Sequence, residues 1–189
     1  MESNILSSII KQFEYYKMLG DKTFSNIPDE MLFWQYNNES NSIAVIVKHL
    51  WGNMLSRWTD FLTTDGEKPW RKRDEEFEND IASKRGMLDK WNEGWECLFT
   101  ALGALKKEDL NKIIYIRSQG HTVMEAIFRQ LAHYSYHVGQ IVYIGKMASE
   151  NWVSLSIPKG KSDAFNAEKF AKPSHNEHFT DEFLKKDKK

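Results

Sequence analysis

The sequence predicts an all-α protein, a four-helix bundle, and three observations carry that prediction. Four long segments place apolar residues at helical spacing. Turn signals built from Gly, Pro and Asp separate them. No internal repeat competes with the pattern, and four amphipathic helices with one shared core form a bundle. The expected domain covers residues 1–171, followed by a polar tail over 172–189.

The first segment, residues 3–20 (SNILSSIIKQFEYYKMLG), sets Ile5, Ile9, Phe13 and Tyr16 on one face, with Gly20 as a stop signal. Pro28 turns the chain and a short apolar piece, MLFWQY, follows. The second segment runs from about Ser42 to Thr63, with Ile43, Val47, Leu50, Met54, Trp58 and Phe61 in one stripe. Asp65, Gly66 and Pro69 then break the chain. The charge run RKRDEEFEND reads as a solvated loop or helix start. Its basic side, Lys68, Arg71, Lys72 and Arg73, is also a candidate seat for an anionic cosubstrate. The third segment, about 80–104, aligns Ile81, Leu88, Trp91, Trp95 and Leu98, and Gly103 lies near its end. Lys112 to Arg117 is rich in β-branched residues, and Ser118 to Gly120 can turn it into a small hairpin. The fourth helix starts at the capping box Thr122-x-x-Glu125 and continues to about Ser149. SLSIPKGKSDAFN reads as a loop and a short helix, and HFTDEFLKKDKK as a frayed end.

Composition narrows the function classes. At 189 residues, with 41% hydrophobic side chains, the chain can bury a substantial core. Its net charge of -1, with both signs interspersed, gives no basic field for nucleic acid. The single cysteine, Cys97, rules out an internal disulfide and fits a reducing compartment. The start, MESNILSSIIKQF, lacks the features of a signal peptide, and no apolar run approaches a membrane span. The expectation is a soluble cytoplasmic protein.

Chemistry concentrates in LAHYSYHVGQIVY, residues 131–143, where His133 and His137 stand one helical turn apart. At about 100° per residue, the apolar face centres on Val123, Ile127, Tyr134 and Ile141. The two histidines lie on its flank with Ala126, Gln140 and Ile144. His49 borders the stripe of the second helix, near Ile46 and Asn53. These three imidazoles converge if the two helices are neighbours. Histidines at a core border are also common as plain packing residues, and spacing leaves both readings open. The segment is not H-E-x-x-H: Tyr134 and Ser135 follow His133, so the metalloprotease base is missing. Asn53, Gln140 and His121 are candidates to orient a ligand or a bound water, or else ordinary polar residues. His175 and His178, in the tail, receive no role.

The chain resembles the DinB-like (DinB/YfiT) superfamily of metal-binding bundles, within a branch of uncharacterised domain proteins. The resemblance rests on SIAVIVKHLWGNMLSRWTDFLTTDGEKPWRKRDEEF (42–77), HTVMEAIFRQLAHYSYHVGQIVYIGK (121–146) and WVSLSIPKGKSDAFN (152–166). It implies a divalent metal held by one histidine of the second helix and the H-x3-H pair of the fourth, here His49, His133 and His137. Three imidazoles suit zinc or nickel. Three protein ligands leave positions open, which is the layout of a catalytic site.

The resemblance further implies a thiol-S-transferase using bacillithiol, mycothiol or a similar low-molecular-weight thiol on small electrophiles. A metal-dependent hydrolase, or a non-catalytic stress-associated metal binder, remains the alternative. No catalytic residue is assigned beyond the ligands. Cys97, on the third helix, reads as packing rather than as a nucleophile. The chain carries more large aromatics than one small core needs. The seven tryptophans, among them Trp51, Trp58, Trp91 and Trp95, can line a pocket or pack in a core or interface. With the resemblance, they suggest a homodimer packed through aromatic helix faces.

Overall fold

A computed structural model describes residues 5–186. Residues 3 and 4 of the expected first helix, and 187–189 of the expected tail, lie outside the described residues. The structure is mostly helical. Helix α1 spans Ile5–Ser25, α2 Ile43–Trp58, α3 Lys84–Gly103 and α4 Val123–Met147, with shorter helices α5 (Ser162–Phe170) and α6 (Asp181–Lys186). Single 3-10 turns occupy Asp29–Leu32, Asp74–Phe77 and Lys107–Asn111. Among the described residues no helix is long and apolar enough to cross a membrane.

Local sequence explains where the long helices begin. Ser42 caps α2 by accepting from the Val45 N–H (3.2 Å), and Ser83 caps α3 by accepting from Gly86 (3.2 Å). At α4 the capping box forms in full. Thr122 Oγ1 accepts from the Glu125 N–H, and the Glu125 carboxylate accepts from the Thr122 N–H at 2.7 Å.

The expected hairpin is present just before α4, as strands β1 (Ile113–Ile116) and β2 (Gln119–Thr122), paired antiparallel with Ile113 opposite Thr122 and Ile116 opposite Gln119. Its two turn residues, Arg117 and Ser118, both take positive φ (56° and 61°). That is the type I′ geometry which glycine or asparagine usually supplies. Here Asp65 compensates by accepting from the backbone N–H groups of both (2.8 and 2.7 Å).

Helices α1–α4 share one apolar core. The largest contacts join α2 to α3 and α1 to α4, with further contact between α2 and α4 and between α1 and α3. Almost every residue of α2 is buried, Trp51 and Leu55 being half-buried exceptions. At the centre, Phe13, Trp95 and Tyr134 meet with ring centroids 5.8–6.3 Å apart. Each such ring contributes on the order of 1.5–3 kcal/mol through its burial. The Tyr134 hydroxyl is fully accommodated: it donates to Asn53 Oδ1 and accepts from Trp58 Nε1, both at 3.0 Å.

Several expectations change: α2 ends at Trp58 rather than about Thr63, and α3 starts at Lys84 rather than about residue 80. Gly20 does not stop α1, which continues to Ser25. A Cβ at Gly20 would overlap the indole of Trp91, so the glycine is there for close approach between α1 and α3. The stretch HFTDEFLKKDKK, expected to fray, carries α6 laid against α1 over its described part. Thr180 is fully buried, Lys11 pairs with Asp181 (2.7 Å), and Tyr15 packs between Phe179 and Phe183.

The Gly20 contact is testable by urea unfolding. In an exposed helix, Gly→Ala would stabilise by about 0.5–1 kcal/mol. Overpacking against Trp91 reverses that sign, so Gly20→Ala is expected to destabilise by about 1–3 kcal/mol. A stabilised variant would show that Trp91 yields freely.

Candidate metal centre

The packing of α2 beside α4 brings His49, His133 and His137 together. Each ring offers one ligand nitrogen, and these atoms all lie within 4.8 Å of one another. The ring centroids are 4.7–5.3 Å apart, and each pair meets edge to face. His49 is buried and the other two are half-buried.

The hydrogen bonds fix which nitrogen carries the proton on two of the three rings. His49 Nδ1 faces the Glu76 carboxylate at 2.9 Å. The carboxylate there can only accept, so Nδ1 is the donor, and the neutral ring has its lone pair on Nε2. That lone pair faces His133 Nε2 at 3.3 Å. His137 Nδ1 donates to Gln140 Oε1 (2.8 Å), and the Gln140 amide nitrogen donates to the Tyr136 hydroxyl (3.1 Å). His137 Nε2 is therefore also left as an acceptor. His133 Nδ1 is buried and has no partner.

These features fit a cation-binding set. Two nitrogens, each about 2.1 Å from a tetrahedral ion, stand about 3.4 Å apart, close to the 3.3 Å separation of the two facing Nε2 atoms. The donor set is three imidazoles with outer partners already on two of them, the usual support for metal-ligating histidines.

Glu76 is the residue that sequence reading missed. It lies in the charge run expected to be solvated, yet it is only 5% exposed. Arg71, from the same run, clamps it with Nε on Oε1 (2.7 Å) and Nη2 on Oε2 (2.9 Å). Burial alone would raise the Glu76 carboxyl, but the hydrogen bonds from His49 and Arg71 outweigh it and hold the group below its ordinary range. A Cβ at Gly52, on α2, would overlap this carboxylate. Gly52, one turn beyond His49 and 24 positions from Glu76, gives no sequence signal of that partnership. The ring of Phe77 stacks on His49 with centroids 5.1 Å apart.

The basic side chains of the candidate anion seat are engaged by other groups. Arg71 is spent on Glu76, and Lys68 is buried, donating to Thr64 Oγ1 and the Asp65 carbonyl. Lys72 pairs with Glu75, and Arg73 lies over the Phe77 ring. Of the three orienting candidates, Gln140 lies on His137, whereas Asn53 serves Tyr134 instead. His121 sits in β2 opposite Ile114, and among the described residues it makes no hydrogen bond or ring contact with the three histidines.

Cys97 is half-buried on α3, its Sγ 3.7 Å from Thr59 Oγ1, and burial pushes its thiol up rather than activating it. Trp58, Trp91 and Trp95 belong to the core, while Trp51 is half-buried and donates to Glu93 (2.7 Å).

Burial also sets the protonation of the cluster. Desolvation, with help from the neighbouring His137, His49, Arg57 and Arg71, lowers His133 to about 3. Desolvation lowers His137 to about 4, although the Gln140 hydrogen bond opposes it. Both rings are neutral, and hence ligand-competent, at pH 7.

In the unfolded chain they take up protons near an ordinary 6.5. Below that pH the unfolded state binds more protons than the folded one, so folding stability falls as pH falls. Metal-free protein is therefore expected to lose thermal stability steadily from pH 6.5 towards pH 4. His133→Asn should flatten the profile. An equally steep profile in that variant would overturn the assignment.

The profile of one protein family, described as "Protein of unknown function (DUF1572)", matches residues 1–161, a span that includes all three histidines, Arg71 and Glu76. No curated protein matches the chain.

Proposed function

The chain belongs to the DUF1572 family, and from that premise we propose that it is a divalent-metal-dependent enzyme of the DinB-like type, built on a four-helix bundle. The observation that carries the reading is the convergence of three histidines, with Nδ1 of His49 and of His137 already engaged by acceptors and their Nε2 lone pairs left over. His49, His133 and His137 would hold one ion, zinc or nickel by the chemistry of the donors. When bound, such an ion lowers the pKa of a thiol or water in its open positions and polarises an electrophile.

The protein's own residues favour a thiol over water as the activated group. Hydrolysis is commonly served by a free carboxylate base, and the nearest carboxylate, Glu76, is fully engaged by His49 and Arg71. A thiol loses its proton readily and needs no such base. The reaction class is then transfer of the sulfur of a low-molecular-weight thiol to a small electrophile. Glu76 fixes the orientation of His49, and Gln140 that of His137. Cys97, with its raised pKa, takes no part.

A homodimer accords with the outer face of α4. Phe128, Ala132, Tyr136 and Gly139 form an exposed stripe of apolar and aromatic character on it, outside the residues nearer its C-terminus. Light scattering at micromolar concentration is expected to give twice the chain mass, and Phe128→Glu, at an exposed position, to return it to one. A monomer in the unaltered protein overturns the dimer.

Elemental analysis tests the centre. One divalent ion per chain is expected, and none in the triple variant His49→Ala, His133→Ala, His137→Ala. Glu76→Gln should weaken metal affinity about 10- to 100-fold. Thiol consumption with a panel of electrophiles should vanish with chelator, return with added ion and survive Cys97→Ala. Unchanged metal content in the triple variant would sink the proposal.

A further inference from the structure

A cleft of about 470 Å³ opens between the loop of residues 34–41 and the C-terminal half of α4. Its size falls in the range of small-molecule sites. Trp34 and Tyr36 form one wall, Ile46 of α2 the base, and Tyr143, Ile144 and Met147 the other wall. The loop wall is preformed. Trp34 and Tyr36 meet edge to face, Ser40 Oγ donates to Asn37 Oδ1 (2.7 Å), and Gln35 Nε2 donates to the Ser40 carbonyl (3.0 Å).

Two polar features define what the cleft can take. Gln140 belongs to its lining and is the same residue that accepts from His137. Its amide has spent one donor and one acceptor site on Tyr136 and His137, which leaves one N–H and one lone pair for a ligand. Glu39 is the single ionised side chain in the lining, and no Lys, Arg or His accompanies it there. A carboxylate without a cation disfavours an anion, while the aromatic walls favour a flat apolar body.

We infer that this cleft binds a small neutral aromatic molecule, with its polar end on Gln140. A ligand seated there is one hydrogen bond from His137, so its occupancy reaches the histidine cluster through a single side chain. Its role as the seat of the electrophile rests on the metal-dependent reading above; its capacity to bind does not.

The test uses the full chain, metal-free and metal-loaded, titrated with benzamide and with benzoate and followed by NMR. Benzamide should shift the Met147 methyl, the Trp34 indole and the Gln140 side-chain amide saturably. Benzoate should bind roughly fivefold more weakly, the scale of one screened charge repulsion. Glu39→Gln should erase that difference. Tyr143→Ala, which truncates a side chain 66% exposed, should weaken benzamide about threefold or more while the melting temperature stays unchanged.

Equal binding of the two probes, shifts gathered instead around Phe61 and Cys97, or no effect of Tyr143→Ala would overturn the inference. A chain that takes up no metal but binds benzamide here fails the earlier proposal and keeps this one. A metal-loaded chain whose cleft binds nothing does the reverse.

Discussion

The Glu76 carboxylate, shut away from water, accepts from His49 on α2 and twice from Arg71 on the connection that follows. A buried charge is tolerable only when its partners are in place, and removing one partner from such a pair typically costs about 3–5 kcal/mol. The arrangement of residues 71–80 against α2 follows from that requirement. Gly52 leaves room for the carboxylate, Phe77 stacks on the His49 ring, and Lys48 ties the next stretch down through Asp80. With His49 Nδ1 committed to Glu76, its Nε2 is aimed at His133. The tautomer of a histidine in the centre is thus decided by a residue 27 positions away.

The same loop also stiffens the other half of the centre. Glu67 gathers Arg57 (3.2 Å) and Arg117 (3.0 Å), with Arg71 at 3.8 Å. Arg117 lies in the hairpin turn whose positive φ values are offset by Asp65. The hairpin leads directly into the capping box of α4, the helix that carries His133 and His137. One ionic framework therefore spans both sides of the cluster, from α2 through the loop to the start of α4. Its arginines reinforce the neutral state of His133, behind the larger effect of burial.

The polar ends of the centre differ in consequence. His49 is backed by a charged, buried acceptor, a rigid support. His137 is backed by a neutral amide that also lines the neighbouring cleft. A perturbation from solvent or a ligand reaches the centre more readily through Gln140 than through Glu76, because an amide hydrogen bond is weaker than a charge-assisted one.

The sequence by itself determined the features that depend on near neighbours. Apolar spacing located the four long helices, Thr122 and Glu125 marked the start of α4, and β-branched residues before a turn marked the hairpin. The H-x3-H spacing put two imidazoles on one face, a consequence of helix geometry alone. Tertiary structure alone decided what depends on distant partners. It made Gly20 a contact with Trp91 rather than a helix stop, and gave Asn53 to Tyr134 rather than to a histidine. It laid α6 on α1, and it buried the side chains of Arg71 and Glu76 out of a run that reads as solvated. The physical reason is that periodicity is a short-range property written in adjacent residues. Desolvation and the pairing of a buried charge exist only once α2, α4 and the connecting loop have come together.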